Sequence, residues 1–184
     1  MDIELIPFQE PVADYLLEWI NTEADLIRWS GPYFTFPLQS EALTAYLRTA
    51  SIRPPIRIIY QAVQKGTQTV VGHIELNDLD FNHLSASLSR VLVNPAFRRA
   101  GVCLPMVNAA LQIAFQELHL HRISLRVYDF NHPAIRCYER AGFRREGFFR
   151  HHSRVGNEWW DSWSMAILEE DWQMLHGMQA GQNG

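Results

Sequence analysis

The segment Val91 to Leu118, V-L-V-N-P-A-F-R-R-A-G-V-C-L-P-M-V-N-A-A-L-Q-I-A-F-Q-E-L, constrains the fold more than any other. A β-branched run halts at Asn94-Pro95, because proline cannot donate to a strand ladder. Leu104, Val107, Leu111, Ala114, Phe115 and Leu118 then recur at steps of three and four, which predicts a helix with one buried face. Pro105 falls in its first turn, where a missing N–H costs nothing. Between strand and helix lies Arg98-Arg99-Ala100-Gly101-Val102-Cys103. A helix N-terminus carries unpaired N–H groups and about half a positive charge, so it attracts phosphate. Gly101 permits close backbone approach and the two arginines add charge, although an ordinary connection with solvated arginines has the same composition. Neither G-x-x-x-x-G-K-[ST] nor G-x-G-x-x-G occurs.

The flanking chain predicts a mixed sheet. Residues 2–7 read as a short strand stopped by Pro7, and Val12, Tyr15, Leu16, Trp19 and Ile20 follow helical spacing. Residues 28–38 gather aromatic residues around Gly31-Pro32 and read as a loop, either core packing or the wall of a ligand pocket. A helix at about 40–50 follows. Ile56–Val63, Thr69–Leu76 and Ala86–Val93 read as antiparallel strands. On the second, strict alternation puts Val70, Gly72, Ile74 and Leu76 on one face and Val71, His73 and Glu75 on the other. Arg122–Tyr128, a short helix, a strand near 143–150 and Glu158–Leu168 complete the pattern. Only 86–93 and 122–128, joined through a helix, form a parallel crossover. The expected class is α/β (α+β), with a mixed, mainly antiparallel sheet flanked by helices.

With 184 residues the chain reads as a single domain over 1–176, with a loose tail at 177–184. Sixteen basic against 20 acidic residues give a formal charge of −4, which disfavours a nucleic-acid binder. No apolar run approaches membrane-spanning length and no signal-peptide layout opens the chain, so no membrane partner is expected. The only cysteines, Cys103 and Cys137, suggest neither a disulfide framework nor a metal pair, and a reducing, cytoplasmic setting fits them. H-E-x-x-H and zinc spacings are absent, so no metal is expected. Monomer and homodimer are both compatible with the sequence.

A second constellation lies at Asp129-Phe130-Asn131-His132-Pro133-Ala134-Ile135-Arg136-Cys137-Tyr138-Glu139-Arg140-Ala141-Gly142-Phe143. Asn131 is a natural N-cap and Gly142 can close the helix. Ala134 and Tyr138 share the face that Asn131 starts, so an amide, a small residue and a phenol line up there. Alone, these could be a capping Asn and a half-buried Tyr. Cys137 points about 100° from Tyr138, which gives a cysteine nucleophile little support.

The two segments together resemble the GNAT superfamily of N-acetyltransferases. V-x-P-x-x-R-x-x-G-x-[GA] is similar to its pyrophosphate loop, with Cys103 where Gly or Ala is usual. N-x-x-A-x-x-x-Y-x-x-x-G-F is similar to its second conserved segment, in the family order. The start, I-x-L-I-P-F with L-L-E-W-I-N, and the end, D-S-W-S-M-A-I-L-E-E-D-W, resemble the ribosomal-protein N-acetyltransferase branch. The resemblance implies a splayed sheet holding acetyl-CoA, with Val91 and Val93 on the pantetheine arm. It places Arg98, Arg99, Ala100, Gly101, Val102 and Cys103 around the pyrophosphate, and Asn131 and Ala134 against the cofactor. Tyr138 would protonate the departing thiolate after direct attack by an amine.

That amine, a small molecule or a protein N-terminus, is protonated at neutral pH and must lose a proton first. Glu75 is the expected base; His73 and water are alternatives, and a plain solvent-facing glutamate is the ordinary reading of Glu75. Asp161 either binds a cationic acceptor or anchors a turn, and His151-His152 either line the acceptor side or mark an exposed loop. The competing function is a catalytically idle acyl-CoA-binding or sensing module, which needs neither Tyr138 nor a base.

Overall fold

The computed structural model describes residues 1–8 and 14–180. Val12, expected on the first helical face, lies outside them, as do residues 181–184 of the expected tail. Seven strands form one sheet in the order β1-β2-β3-β4-β5-β7-β6. They are β1 (Ile3–Pro7), β2 (Arg57–Gln64), β3 (Thr69–Asp80), β4 (Ser85–Val93), β5 (Arg122–Tyr128), β6 (Arg144–Val155) and β7 (Glu158–Leu168). Every neighbouring pair is antiparallel except β4 and β5, the one parallel crossover expected.

Helices cover both faces. On one lie α1 (Asp14–Trp19), α2 (Glu23–Ser30) and α3 (Ser40–Arg48); the other carries α4 (Cys103–Gln112), α5 (His132–Arg140) and α6 (Glu169–Ala180). Each layer buries its own apolar cluster. Leu16, Leu26, Leu43 and Tyr46 meet Ile59 in the first; Met106, Val107, Ala110 and Leu111 meet Ile74 and Leu76 in the second. The second cluster uses the predicted stripe of α4, which ends in a π-helical turn at Ile113–Glu117.

Two local departures have clear causes. Residues 28–30 are helical rather than part of a loop, because the Thr22 hydroxyl caps α2 by accepting from the Asp25 N–H at 3.0 Å. Strict alternation along β3 also fails. Ala62 pairs with Gly72 but Val63 with Val70, so Val71 is an extra residue. Val71 therefore joins Ile74 in the α4 cluster, while Val70 packs on the α1–α3 side. Gly72 faces α4 so closely that an added Cβ would lie 2.6 Å from the Met106 sulfur. That contact seats α4 flat on the sheet. At the C-terminal end, α6 continues to Ala180, beyond the expected boundary at residue 176.

The cysteines correct a sequence expectation. Cys103, opening α4, and Cys137, on α5, form a disulfide with Cα atoms 6.4 Å apart and 34 residues between them in sequence. Both were expected as free thiols, since two cysteines so far apart in sequence reveal nothing of their meeting in space. With the bond present, cysteine usage no longer argues for a reducing compartment. Closing a loop of that length stabilises by about 3–4 kcal/mol on chain-entropy grounds. Reduction, or Cys103→Ser, should lower the melting temperature by roughly 10 °C in a thermal melt. Identical melts with and without reductant would contradict this contribution.

Candidate active site

The central gap is set by where β4 and β5 cease to pair. Their ladder covers only Ser85–Ser87 against Arg122–Ser124. Beyond it the strands part, while β5 stays paired with β7 along its whole length. Val91 and Val93 lie on the open part of β4, half-buried. The opening leads to the turn that begins α4.

That turn exposes backbone donors. Arg99 has φ 65° and Gly101 φ 77°, so left-handed residues alternate with ordinary ones and turn successive N–H groups toward one side. The Arg98 and Ala100 amides are spent inside the turn, on Pro95 and Phe97 carbonyls at 3.3 and 3.2 Å. Among the described residues, the amides of Gly101, Val102, Cys103 and Leu104 donate to no backbone carbonyl. Of the predicted cradle, Gly101, Val102 and Cys103 thus keep free N–H groups, and Arg98 and Arg99 offer exposed side chains. Ala100 offers neither.

The second constellation lies on α5, which the Cys103–Cys137 bond holds against the start of α4. Asn131 occupies the N-cap position, yet its side chain makes no capping bond and is left for another partner. Ala134 packs against the α4 cluster. Tyr138 is buried, and burial pushes its phenol well above its ordinary value, so the proton stays on oxygen at neutral pH. No described residue hydrogen-bonds that hydroxyl through its side chain or backbone. Cys137 turns instead to α4, joining the turn that opens α4 to the helix that carries Tyr138.

Glu75 is not the solvent-facing carboxylate its strand position suggested. It is completely buried, with both oxygens engaged. Oε1 accepts from Arg90 Nη1 at 2.6 Å and lies 3.8 Å from Arg57 Nη1, and Oε2 accepts from the Tyr46 hydroxyl. Arg90 reaches it through a bulge: His73 pairs with Leu92 but Glu75 with Ser89, and Arg90 takes φ 47°. His73 is also sealed, and burial followed by the charge of Arg90 lowers its pKa to about 3. Since the Tyr46 hydroxyl donates to Glu75, its oxygen accepts from His73 Nε2–H at 3.1 Å. A histidine so weakly basic is a poor proton acceptor.

Tyr33, from the aromatic segment, lies with its ring 4.2 Å from the Arg90 guanidinium carbon and 5.3 Å from that of Arg57. Trp29 Nε1 donates to the Arg90 carbonyl at 2.9 Å. The sequence reading missed Arg57, Arg90 and Tyr46. One signal was available: Arg90 falls inside a strand with apolar residues after it, and an arginine there needs a partner when buried.

On β6, His152, Ser153 and Arg154 join Ile27 and Pro32 around a cavity of about 210 Å³. Arg126 Nη1 donates to His152 Nε2 at 2.9 Å, and the Tyr128 hydroxyl donates to Ser153 at 2.9 Å. Burial, then Arg126, lowers the His152 pKa. Asp161 serves as an anchor, with Oδ1 accepting the His151 N–H at 2.6 Å. No group of metal-binding side chains occurs among the described residues, and none of their helices is long and apolar enough to cross a membrane.

A splayed β4/β5 pair, a helix opening on bare amides and a buried phenol beside it define an acyltransferase-type fold. The profile of the Acetyltransferase (GNAT) family matches residues 23–143. The chain belongs to that family, and it is by class an N-acetyltransferase, with acetyl-CoA the co-substrate that class uses.

Among relatives, YnaD of Bacillus subtilis, an uncharacterized N-acetyltransferase, is 42% identical over 79 residues, 43% of this chain and 46% of that one. The spermidine N(1)-acetyltransferase of Vibrio cholerae is 28% identical over 138 residues, 75% and 76% of the two chains. A crystal structure of V. cholerae spermidine N-acetyltransferase in complex with CoA and spermine superposes with a TM-score of 0.81, at 21% identity over 93% of this chain and 98% of that one. At that identity the likeness establishes the fold.

Proposed function

We propose that the protein moves the acetyl group of acetyl-CoA directly onto an amine, with Tyr138 as the acid for the leaving thiolate. The observation carrying this is the parting of β4 from β5 beside a turn with free amides at Gly101 to Leu104, to which the Cys103–Cys137 bond ties the helix bearing Asn131 and Tyr138. The diphosphate binds those amides with Arg98 and Arg99 beside it. The pantetheine arm pairs with β4 near Val91 and Val93, and Asn131 and Ala134 line the facing helix. The spermidine-acetylating relative supports an amine as acceptor.

The amine nitrogen attacks the thioester carbon, the carbon–sulfur bond breaks, and the amine's proton leaves to water. Glu75 enters as the anion that fixes Arg90 and Tyr46 beneath the acceptor, because both its oxygens are already committed. It is a positioning residue and does not touch the amine.

Gly101→Glu tests the cofactor placement. Gly101 has open space around it but a left-handed backbone, so glutamate adds strain and a negative charge beside the diphosphate. Acetyl-CoA affinity measured by calorimetry should fall at least ~10-fold, the equivalent of a single unit of such strain. Undiminished binding would put the diphosphate elsewhere.

A further inference from the structure

The charges around the acceptor side are the reverse of what a polyamine needs. Beneath Tyr33, two guanidiniums, Arg57 and Arg90, share the single carboxylate of Glu75, leaving one net positive charge. Both are about nine-tenths buried, and the Nε–H of each is sealed from solvent without a hydrogen-bond partner. Those two donors are out of an acceptor's reach, and what an acceptor atom can meet is the small part of each guanidinium that stays exposed beside the committed Nη1.

The rim has the same sign. Tyr33 follows Pro32, which lines the 210 Å³ cavity facing Arg154 and His152. Arg154 Nε donates to the Gly156 carbonyl and Arg126 to His152, whose accepting Nε2 makes that ring neutral. No carboxylate of the described residues lies within salt-bridge distance of Arg126, Arg150 or Arg154. Of the acids near this rim, Asp161 is committed to the His151 N–H and Asp25 to Arg28 and the Thr22 hydroxyl, while Asp129 and Glu158 make no salt bridge among the described residues.

We infer that the acceptor is an amine that also carries an anionic group, a carboxylate or a phosphate, held between the Tyr33–Arg57–Arg90 floor and the Arg154 rim. This rests on the acetyl-transfer reading above. It sets the chain apart from its spermidine-acetylating relatives, whose substrate is a polycation. An arginine pair recognises a carboxylate or phosphate through paired N–H donors, whereas a second ammonium group there meets only like charge.

The test is thiol release from acetyl-CoA with matched acceptors. Amino acids are compared with their amides, phosphoethanolamine with ethanolamine, and spermidine stands as the polycation. The anionic member of at least one pair should exceed its neutral partner in kcat/KM by about 10-fold or more, the worth of one hydrogen bond to a charged group, and exceed spermidine as well. Which pair responds separates carboxylate from phosphate. In Arg154→Gln that preference should fall severalfold.

Equal rates within both pairs, or spermidine ahead, would overturn the inference while leaving acetyl transfer intact. A preference untouched in Arg154→Gln would overturn the placement. No thiol release with any amine would instead sink the acetyl-transfer reading, and this inference with it.

Discussion

Tyr138→Phe should lose ~10²–10⁴-fold in kcat, the usual contribution of a positioned acid, while acetyl-CoA affinity stays within about twofold. The expectation follows from what the leaving group requires. Thioester aminolysis expels a thiolate, and in an apolar crevice a bare thiolate is poorly solvated. Tyr138 is buried, its phenol is held in the protonated form by that burial, and its hydroxyl is not spent on a neighbouring side chain. A phenol less acidic than usual acts chiefly by donating a hydrogen bond as negative charge grows on sulfur. The proton released by the amine restores it if transfer goes to completion. Phenylalanine keeps the ring that packs 5.9 Å from Phe143 and removes only the oxygen. Steady-state kinetics with calorimetry would therefore separate chemistry from binding. Parent turnover in Tyr138→Phe would make water the acid.

Glu75→Ala should destabilise the fold by about 3–5 kcal/mol, since removing one partner of a buried ion pair strands the others. Here two guanidiniums lose the only carboxylate they pair with among the described residues, and the Tyr46 hydroxyl loses its acceptor. Against a total stability of about 5–15 kcal/mol, that loss is large enough to lower the melting temperature by roughly 10 °C. Glu75→Gln keeps an acceptor oxygen and should fall between the two proteins. Denaturant unfolding of all three, with activity measured per folded molecule, distinguishes an anchor from a base. If Glu75→Gln proved as stable as the parent yet inactive, Glu75 would be the base after all.

These two residues mark how far a reading of the sequence reaches. The strand, turn and helix from Val91 to Leu118 were legible because Pro95, Gly101 and a stripe of apolar residues are local signals, and local signals survive folding. Asn131, Ala134 and Tyr138 were legible by spacing on one helix. Glu75 was legible as a residue but not in its surroundings. The bulge that turns Arg90 inward and the one at Val71 that shifts the β3 alternation arise from strand pairing, which one strand does not reveal. The Cys103–Cys137 bond was hidden for the same reason: α4 and α5 meet only once β5 has crossed between them. The short α2 is readable from Thr22-x-x-Asp25, a capping pattern that the aromatic residues after it obscure.

The central claim is a position: a diphosphate against the amides that open α4 and a thioester beside Tyr138. A crystal structure of the protein with coenzyme A measures it directly. The account predicts phosphate oxygens within hydrogen-bond distance of the Gly101 to Leu104 amides and the sulfur within reach of the Tyr138 hydroxyl. Coenzyme A bound outside the β4/β5 gap, or its sulfur pointing away from that phenol, would contradict it.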